Sequence, residues 1–180
     1  RRSSSAASDV YKRQVKDSGV KTFIIHARKG ILKGLSPRQN RNIPPLNYQK
    51  VYSIKDDFPE LEIIINGGIK NISEAKNHLN YVDGVMLGRA AYDDPFMLSD
   101  IDSEIYANTK IEVSRKELLS EYLDYVHLMT KKGYDLKIML KHVFGLKKGE
   151  KDAKRFRVKV AEIMNSSSLV ENKDELLSMV

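Results

Sequence analysis

The chain contains no cysteine among its 180 residues, so disulfides, thiolate metal sites and cysteine nucleophiles are excluded within it. It also has no apolar run long enough to cross a membrane, and no secretory signal segment is visible. These absences predict a cytoplasmic protein. The hydrophobic fraction of 41% is enough to form a buried core.

The charge and the length of the chain say less about its function and its fold than these absences do. A formal net charge of +7 fits an anionic partner such as RNA, but many basic proteins bind no nucleic acid. The length suits one domain, or a partial domain followed by a small second one. Residues 1–14 are rich in Ser, Ala and Arg and begin without Met, so we interpret them as a foreign or disordered leader on a fragment.

Three short, nearly continuous apolar segments indicate strands buried on both faces, as in a parallel sheet. They comprise residues 22–27, 61–65 and 84–87. Helical patterns lie between them at residues 48–57 and 71–80. Asn71 and Glu74 are spaced as a capping pair at the start of the second helix. This alternation predicts an α/β fold, either a (β/α) barrel or a doubly wound sheet.

After the third strand the pattern becomes helical. Ser114 and Glu117 form an S-x-x-E capping box that predicts the start of a helix, and Gly133 predicts its end. We expect the buried face of this helix to carry Leu118, Tyr122, Tyr125, Val126 and Met129. Two more amphipathic patterns follow, so a small all-α domain over about residues 101–180 follows the α/β part.

Polar or glycine residues stand at the end of each predicted strand, where α/β folds bind their ligands. In strand order they are His26, then Asn66, Gly67 and Gly68, then Gly88 and Arg89. Taken singly, they have plainer interpretations as a structural histidine, a tight turn and a surface arginine. Glycine N–H groups and a guanidinium both suit phosphate oxygens. Their occurrence after consecutive strands predicts a phosphate site of the kind that many (β/α) barrels build from their last two strands.

Two segments are rich in basic residues. The basic loop, residues 28–46, holds five basic side chains and no acidic one, and its length suggests a functional or mobile loop. The basic helical segment, residues 141–159, holds eight basic side chains against two acidic ones, and Lys154 and Arg157 share a helix face. Both segments suit RNA phosphates, although a solvated charged surface is the alternative. His78, inside a predicted helix, is assigned no role.

Three stretches of the sequence resemble the tRNA-dihydrouridine synthase A family, in order and at the family's spacing over roughly residues 20–160. They are FIIHARKGILKGLSPRQNRNIPPLNYQKVY, DFPELEIIINGGIKNISEAKNHLNYVDGVMLGRAAYDDPFML and KHVFGLKKGEKDAKRFR. The resemblance is specific because the motifs H-A-R-K, S-P-x-x-N-R-x-I-P-P-L, I-N-G-G-I and G-R-A-A-Y occur together. It implies an α/β fold in which the last three strands of a (β/α)8 TIM barrel precede a small all-α helical domain.

The resemblance implies a flavin-dependent enzyme that reduces uridines of tRNA, chiefly in the D-loop, to 5,6-dihydrouridine. In the family, NADPH reduces FMN, which passes a hydride to C6 of uracil, while a cysteine gives a proton to C5. The implied domains are a partial FMN-binding barrel over residues 15–100 and a helical tRNA-binding domain over residues 101–180. We expect tRNA as the partner, no metal ion, and a monomer at full length.

The resemblance also assigns site residues by their positions. The FMN contacts that it implies are His26, Asn66, Gly67, Gly68, Gly88 and Arg89. The tRNA contacts that it implies are Arg38, Arg41, Lys154 and Arg157. A lysine at position 154 in place of arginine keeps the charge but loses the paired donors of a guanidinium.

The sequence departs from the family pattern in its length, because a complete barrel needs eight strands and three are predicted here. The catalytic cysteine is expected in a missing N-terminal part, so no catalytic residue is assigned in this chain. We therefore expect the chain alone to be unstable or to associate, and to be inactive in uridine reduction. Two alternatives are a tRNA-binding module without catalysis and another FMN- or phosphate-binding barrel enzyme, such as an aldolase.

Overall fold

The computed structural model describes residues 19–31, 33–109, 112–166 and 169–180. The leader expected at residues 1–14 lies outside these described residues. The chain divides into two compact units, Arg1–Leu87 and Gly88–Val180. The functional domains expected from the sequence, with a boundary after residue 100, stay a prediction.

The first unit contains a parallel sheet with the strand order β1-β2-β3. The strands are β1 Thr22–His26, β2 Glu62–Asn66 and β3 Gly84–Met86. Between them lie the helices α1 Pro37–Asn40, α2 Tyr48–Asp57 and α3 Ile72–Leu79. The predicted α/β arrangement with parallel strands is therefore confirmed, and every observed strand end lies within one residue of the predicted one.

Local capping fixes where α2 and α3 begin. The side chain of Asn47 accepts a hydrogen bond from the Lys50 N–H at 3.0 Å, and that of Asn71 accepts one from the Glu74 N–H at 2.8 Å. The Glu74 carboxylate in turn accepts a hydrogen bond from the Lys70 N–H at 2.8 Å. The predicted capping pair of Asn71 and Glu74 is therefore confirmed, and it satisfies N–H groups that a helix start leaves unpaired.

One face of the sheet is buried and the other is open within the described part of the first unit. Ile63 and Ile65 of β2 are fully buried, while α2 packs against β2 and α3 packs against β3. Ile24 of β1 points to the other face and is 53% exposed. The expected burial on both faces is therefore wrong for the described residues. Strand side chains alternate between the two faces, and one of these faces has no cover here.

His78 of α3 joins a cluster of aromatic rings that includes residues of α2. Its Nδ1 lies 2.6 Å from the Tyr52 hydroxyl, and the Tyr48 ring meets it edge-on with 4.4 Å between ring centroids. Tyr81 stacks on Tyr52 with 4.4 Å between centroids. Burial lowers the pKa of His78 below its ordinary value of 6.5, and the Glu74 carboxylate opposes part of this shift. The neutral imidazole is therefore the form that this packing favours.

All regular structure described in the second unit is helical. Its α-helices are α4 Arg89–Asp93, α5 Ile101–Glu104, α6 Arg115–Lys131, α7 Leu136–Leu140, α8 Ala153–Ser166 and α9 Lys173–Ser178. Short 3-10 helices cover Pro95–Asp100, Lys141–Val143 and Val170–Asn172. None of the helices described here is both long enough and apolar enough to span a lipid bilayer.

The longest helix, α6, begins at the predicted capping box. Ser114 Oγ accepts a hydrogen bond from the Glu117 N–H at 3.1 Å, and the Glu117 carboxylate accepts one from the Ser114 N–H at 3.0 Å. Gly133 follows the end of the helix with a φ of 91°, a left-handed conformation that suits glycine. Both predicted helix boundaries are therefore confirmed.

The buried face of α6 differs from the predicted one. Leu119, Leu123 and Val126 are fully buried in the core of the second unit, whereas Leu118 and Tyr125 are 37% and 51% exposed. Apolar side chains occupy two adjacent faces of this helix, and packing against α7 and α9 selects one of them. The prediction is therefore confirmed for Val126 and wrong for Leu118 and Tyr125.

We predict that His78 makes the stability of the chain depend on pH below about 6.5. Its pKa is lowered in the folded state, so below its ordinary value the unfolded chain binds the proton more readily than the folded chain does. The free energy of unfolding should be independent of this group at higher pH. It should fall as the pH drops through the ordinary value, and this contribution should level off below the lowered folded-state pKa.

Urea unfolding measured from about pH 8 to pH 5 checks this expectation. His78→Asn removes the titrating group and should flatten the fall in stability, while the control His127→Asn, on α6, should retain it. Equal pH dependence in His78→Asn and the wild-type chain would contradict the assignment.

Candidate functional site

The carboxyl ends of the three strands bring their last side chains into one row. Parallel pairing sets His26 of β1 opposite Asn66 of β2, and Asn66 opposite Met86 of β3. His26 and Met86 are exposed, and Asn66 is half-buried. Residues in register share a face of the sheet. The predicted site residues His26 and Asn66 are therefore neighbours on its open face.

Gly67 and Gly68 form a turn that requires glycine at both positions. Their φ angles are 119° and 75°, in the left-handed region that other residues rarely adopt. A Cβ atom at Gly67 would lie 3.0 Å from Nδ1 of His26, and one at Gly68 would lie 2.5 Å from Cδ1 of Leu46. The turn therefore brings its backbone directly against the imidazole that ends the neighbouring strand.

The residues that follow the basic loop hold this turn in place. The Tyr48 hydroxyl donates a hydrogen bond to the carbonyl oxygen of Gly67 at 2.9 Å. The Asn47 N–H donates to the Ala27 carbonyl at 2.7 Å, and the Ala27 N–H donates to the Asn66 carbonyl at 2.7 Å. The chain leaving the basic loop is therefore bonded to the ends of both β1 and β2.

Arg28 lies two residues beyond β1. The sequence pattern placed it in the basic loop and in the H-A-R-K motif after the strand, but assigned it no contact with FMN. Its Nη1 donates to the carbonyl oxygen of Pro44, and its backbone pairs with Leu46 in an isolated antiparallel bridge. Its Nε is buried and has no hydrogen-bond partner within the described residues. A buried donor without a partner costs stability, and a guanidinium donor suits an anion. The missed signal was an arginine close after a strand, as Arg89 is after β3.

The basic loop is fixed around Asn40 in its described part. The Asn40 side chain donates to the Ile31 carbonyl at 2.9 Å and accepts from the Ile31 N–H at 2.8 Å. The Ser36 side chain caps α1 by accepting a hydrogen bond from the Gln39 N–H. Arg38 lies in α1, Arg41 is its C-cap, and both are exposed. These two predicted tRNA contacts are therefore open to solvent, and their binding to RNA stays a prediction.

Gly88 and Arg89 follow β3 in the sequence and belong to the second unit. Gly88 is the N-cap of α4 and Arg89 is its first residue, and both are exposed. No atom lies within 4 Å of a Cβ built at Gly88, so the described residues leave open space there. That Gly88 and Arg89 bind a phosphate together with the turn after β2 stays a prediction.

Arg157 of α8 lines an open groove of about 320 Å³ in the second unit. Lys141 and Lys148 line the same groove, whereas Lys154 is exposed one helical turn before Arg157 and does not line it. Of these four cations, the sequence assigned only Lys154 and Arg157 to the site. The structure therefore collects three cations around one concave surface and leaves Lys154 beside it on the same helix.

Tyr92 is an aromatic side chain of this groove that the sequence pattern did not single out. Its ring is 53% exposed and meets the His142 ring edge-on with 5.7 Å between centroids. Close packing supports the groove, since a Cβ atom at Gly145 would lie 2.6 Å from the Asp93 carbonyl oxygen. An exposed ring beside cations offers a stacking surface for a nucleic-acid base. The available signal was the Tyr that ends the G-R-A-A-Y motif.

The two surfaces offer groups that bind anions. The strand ends supply an imidazole, an amide, a guanidinium and a glycine turn, and the groove supplies three cations. Among the described residues, no cluster of three or more His, Asp or Glu side chains could hold a metal ion. The chemistry that this arrangement supports is the binding and orientation of phosphorylated molecules.

Comparison with known proteins identifies the family. Residues 4–179 match the family described as dihydrouridine synthase (Dus). Relatives named tRNA-dihydrouridine(20/20a) synthase are 44% identical over 144 residues in Pseudomonas putida, 42% over 144 in Vibrio cholerae and 43% over 143 in Synechocystis sp.. These alignments cover 79–80% of this chain and 43–44% of each relative, so the chain spans less than half the length of the relatives. Because the family match extends over nearly all of its residues, the chain belongs to the dihydrouridine synthase family.

Proposed function

We propose that this chain forms the C-terminal part of a flavin-dependent tRNA-dihydrouridine synthase, which reduces uridine in tRNA to 5,6-dihydrouridine. The observation that carries the proposal is the row of His26 and Asn66 beside the turn of Gly67 and Gly68, at the carboxyl ends of parallel strands. Membership of the dihydrouridine synthase family supports it. The relatives named tRNA-dihydrouridine(20/20a) synthase point to the same substrate class.

We assign the three strands to the last part of a (β/α)8 barrel. Ile24, Ile64 and Gly84 stand in register on the open face of the sheet, and in a closed barrel this face meets side chains of the other strands. The relatives are long enough to supply such strands, since the aligned part is less than half of their length. In this arrangement residues 15–100 are the partial barrel and residues 101–180 the helical tRNA-binding domain.

The carboxyl edge of the sheet fits the phosphate and the ring system of FMN. His26 and Asn66 offer polar side chains there, and the buried Nε of Arg28 is a donor without a protein partner among the described residues. The residues that would hold FMN are His26, Asn66, Gly67, Gly68, Gly88 and Arg89. When bound, FMN supplies the hydride chemistry, with NADPH as reductant. This chain contributes binding and orientation, because it has no cysteine to give a proton.

The cationic surfaces fit the phosphate backbone of tRNA. Arg38 and Arg41 stand exposed in the basic loop, and Lys154 and Arg157 occupy one face of α8. The groove at Arg157 adds further cations and the exposed Tyr92 ring, a combination that holds single-stranded bases as well as phosphates.

We predict that reversing the charge at the four proposed tRNA contacts weakens binding of tRNA to the purified chain by at least about tenfold. The variant carries Arg38→Glu, Arg41→Glu, Lys154→Glu and Arg157→Glu. Lost phosphate contacts should also reduce the steepness with which affinity falls as salt rises. Binding of a tRNA transcript at several salt concentrations measures both quantities.

A matched control changes the net charge by the same amount at four exposed lysines outside these surfaces. The control carries Lys50→Glu, Lys116→Glu, Lys131→Glu and Lys132→Glu. We expect it to bind tRNA more tightly than the first variant. If both variants bind equally, the attraction is only a matter of net charge and the assigned contacts are wrong. If the wild-type chain and both variants all fail to bind tRNA, tRNA is not the partner.

We predict that Arg89→Ala weakens FMN binding roughly tenfold or more, because it removes a charged hydrogen bond to the phosphate. Titration of the isotope-labelled chain with FMN, followed by amide shifts in NMR spectra, detects weak as well as tight binding. Riboflavin, which lacks the phosphate, serves as the matched ligand and should bind wild type and variant alike. An unchanged FMN affinity in Arg89→Ala would contradict the phosphate assignment.

A further inference from the structure

The Tyr48 hydroxyl donates a hydrogen bond to the carbonyl oxygen of Gly67 at 2.9 Å. Tyr48 follows the basic loop, and the two residues are separated by 19 positions in the chain. We propose that Tyr48 is a positioning residue that holds the Gly67–Gly68 turn in the conformation that receives the FMN phosphate. The inference rests on the proposed function, since it assigns a role towards FMN.

The geometry of the peptide bond explains how this hydrogen bond can orient the turn. The Gly67 carbonyl and the Gly68 N–H belong to one trans peptide, so they point in opposite directions. A bond that fixes the carbonyl towards Tyr48 therefore fixes the N–H away from it. Glycine has the freest backbone of all residues. Without such an anchor, the direction of this donor would be spread over many conformations.

Tyr48 is itself held firmly enough to act as an anchor. It is the first residue of α2, which the Asn47 side chain caps, and its ring lies edge-on against the buried His78. Burial raises the pKa of Tyr48, and the Glu74 carboxylate adds to this shift while Arg28 opposes it. The hydroxyl therefore stays protonated at neutral pH and remains a donor.

Packing supports the same assignment. A Cβ atom built at Gly68 would lie 3.3 Å from the Tyr48 hydroxyl and 2.5 Å from Cδ1 of Leu46. The turn therefore packs against Leu46 and Tyr48, which lie on either side of the helix cap at Asn47. Leu46 is the last residue of the basic loop, so the same segment contacts the turn and ends the loop.

The test compares Tyr48→Phe with the control Tyr52→Phe in the purified chain. Tyr48→Phe keeps the ring and removes only the hydroxyl that bonds Gly67. Tyr52→Phe lies one helical turn later and removes the hydroxyl that bonds His78 at 2.6 Å, with no bond to the turn. NMR relaxation of the Gly67 and Gly68 amides reports their mobility, and titrations with FMN and riboflavin report affinity.

We expect Tyr48→Phe to increase the mobility of both glycine amides and to weaken FMN binding roughly three- to tenfold. Riboflavin affinity should stay at the wild-type value, because the turn is assigned to the phosphate. Tyr52→Phe should leave the glycine amides and the FMN affinity unchanged, even where it lowers the melting temperature. This phosphate-specific loss separates positioning from a general effect on stability.

Two outcomes overturn the inference in different ways. If the wild-type chain binds FMN and Tyr48→Phe binds it equally well, Tyr48 has no positioning role while the proposed function stands. If neither wild type nor variant binds FMN at any concentration tested, the FMN assignment fails, and the role of Tyr48 fails with it. If Tyr48→Phe loses affinity for FMN and for riboflavin to the same extent, the inference is also overturned, because the effect would then not depend on the phosphate.

Discussion

Parallel pairing of β1 and β2 is the constraint on which the proposed site depends. The pairing sets His26 beside Asn66, and it sends both chains out of the sheet at the same edge. The basic loop must therefore start next to the glycine turn, and its last residues return to bond both strand ends. A shift of one residue in this pairing would move His26 to the face covered by helices and separate it from Asn66.

Features governed by neighbouring residues were predictable from the sequence. The caps at Asn71 and Ser114 follow from a side chain that reaches an N–H three residues later, so spacing alone locates them. The positions of the strand ends were predictable because each apolar segment stops at a polar residue or a glycine. His26 and Asn66 could be expected at one edge because parallel strands align their carboxyl ends.

Features governed by distant residues were not predictable in this way. The bond from Tyr48 to Gly67 spans 19 positions, and no local pattern announces it. The same holds for the choice between Leu118 and Leu119 on α6, since neighbouring helices decide which apolar face is buried. The prediction that β1 and β2 are buried on both faces was wrong here. A continuous apolar segment indicates that both faces of a strand can be buried, whereas the described residues cover only one face of the sheet.

Several local features near the strand ends are unfavourable for stability when taken alone. Arg28 buries a donor without a partner among the described residues, and two consecutive glycines hold left-handed conformations at the cost of backbone entropy. Sequences optimised for folding alone avoid such combinations, and folds tolerate them where a ligand supplies the missing interaction. The coincidence of a guanidinium donor without a partner among the described residues, a glycine turn and an anchoring hydroxyl around two strand ends therefore supports the proposal that this edge of the sheet binds an anionic ligand.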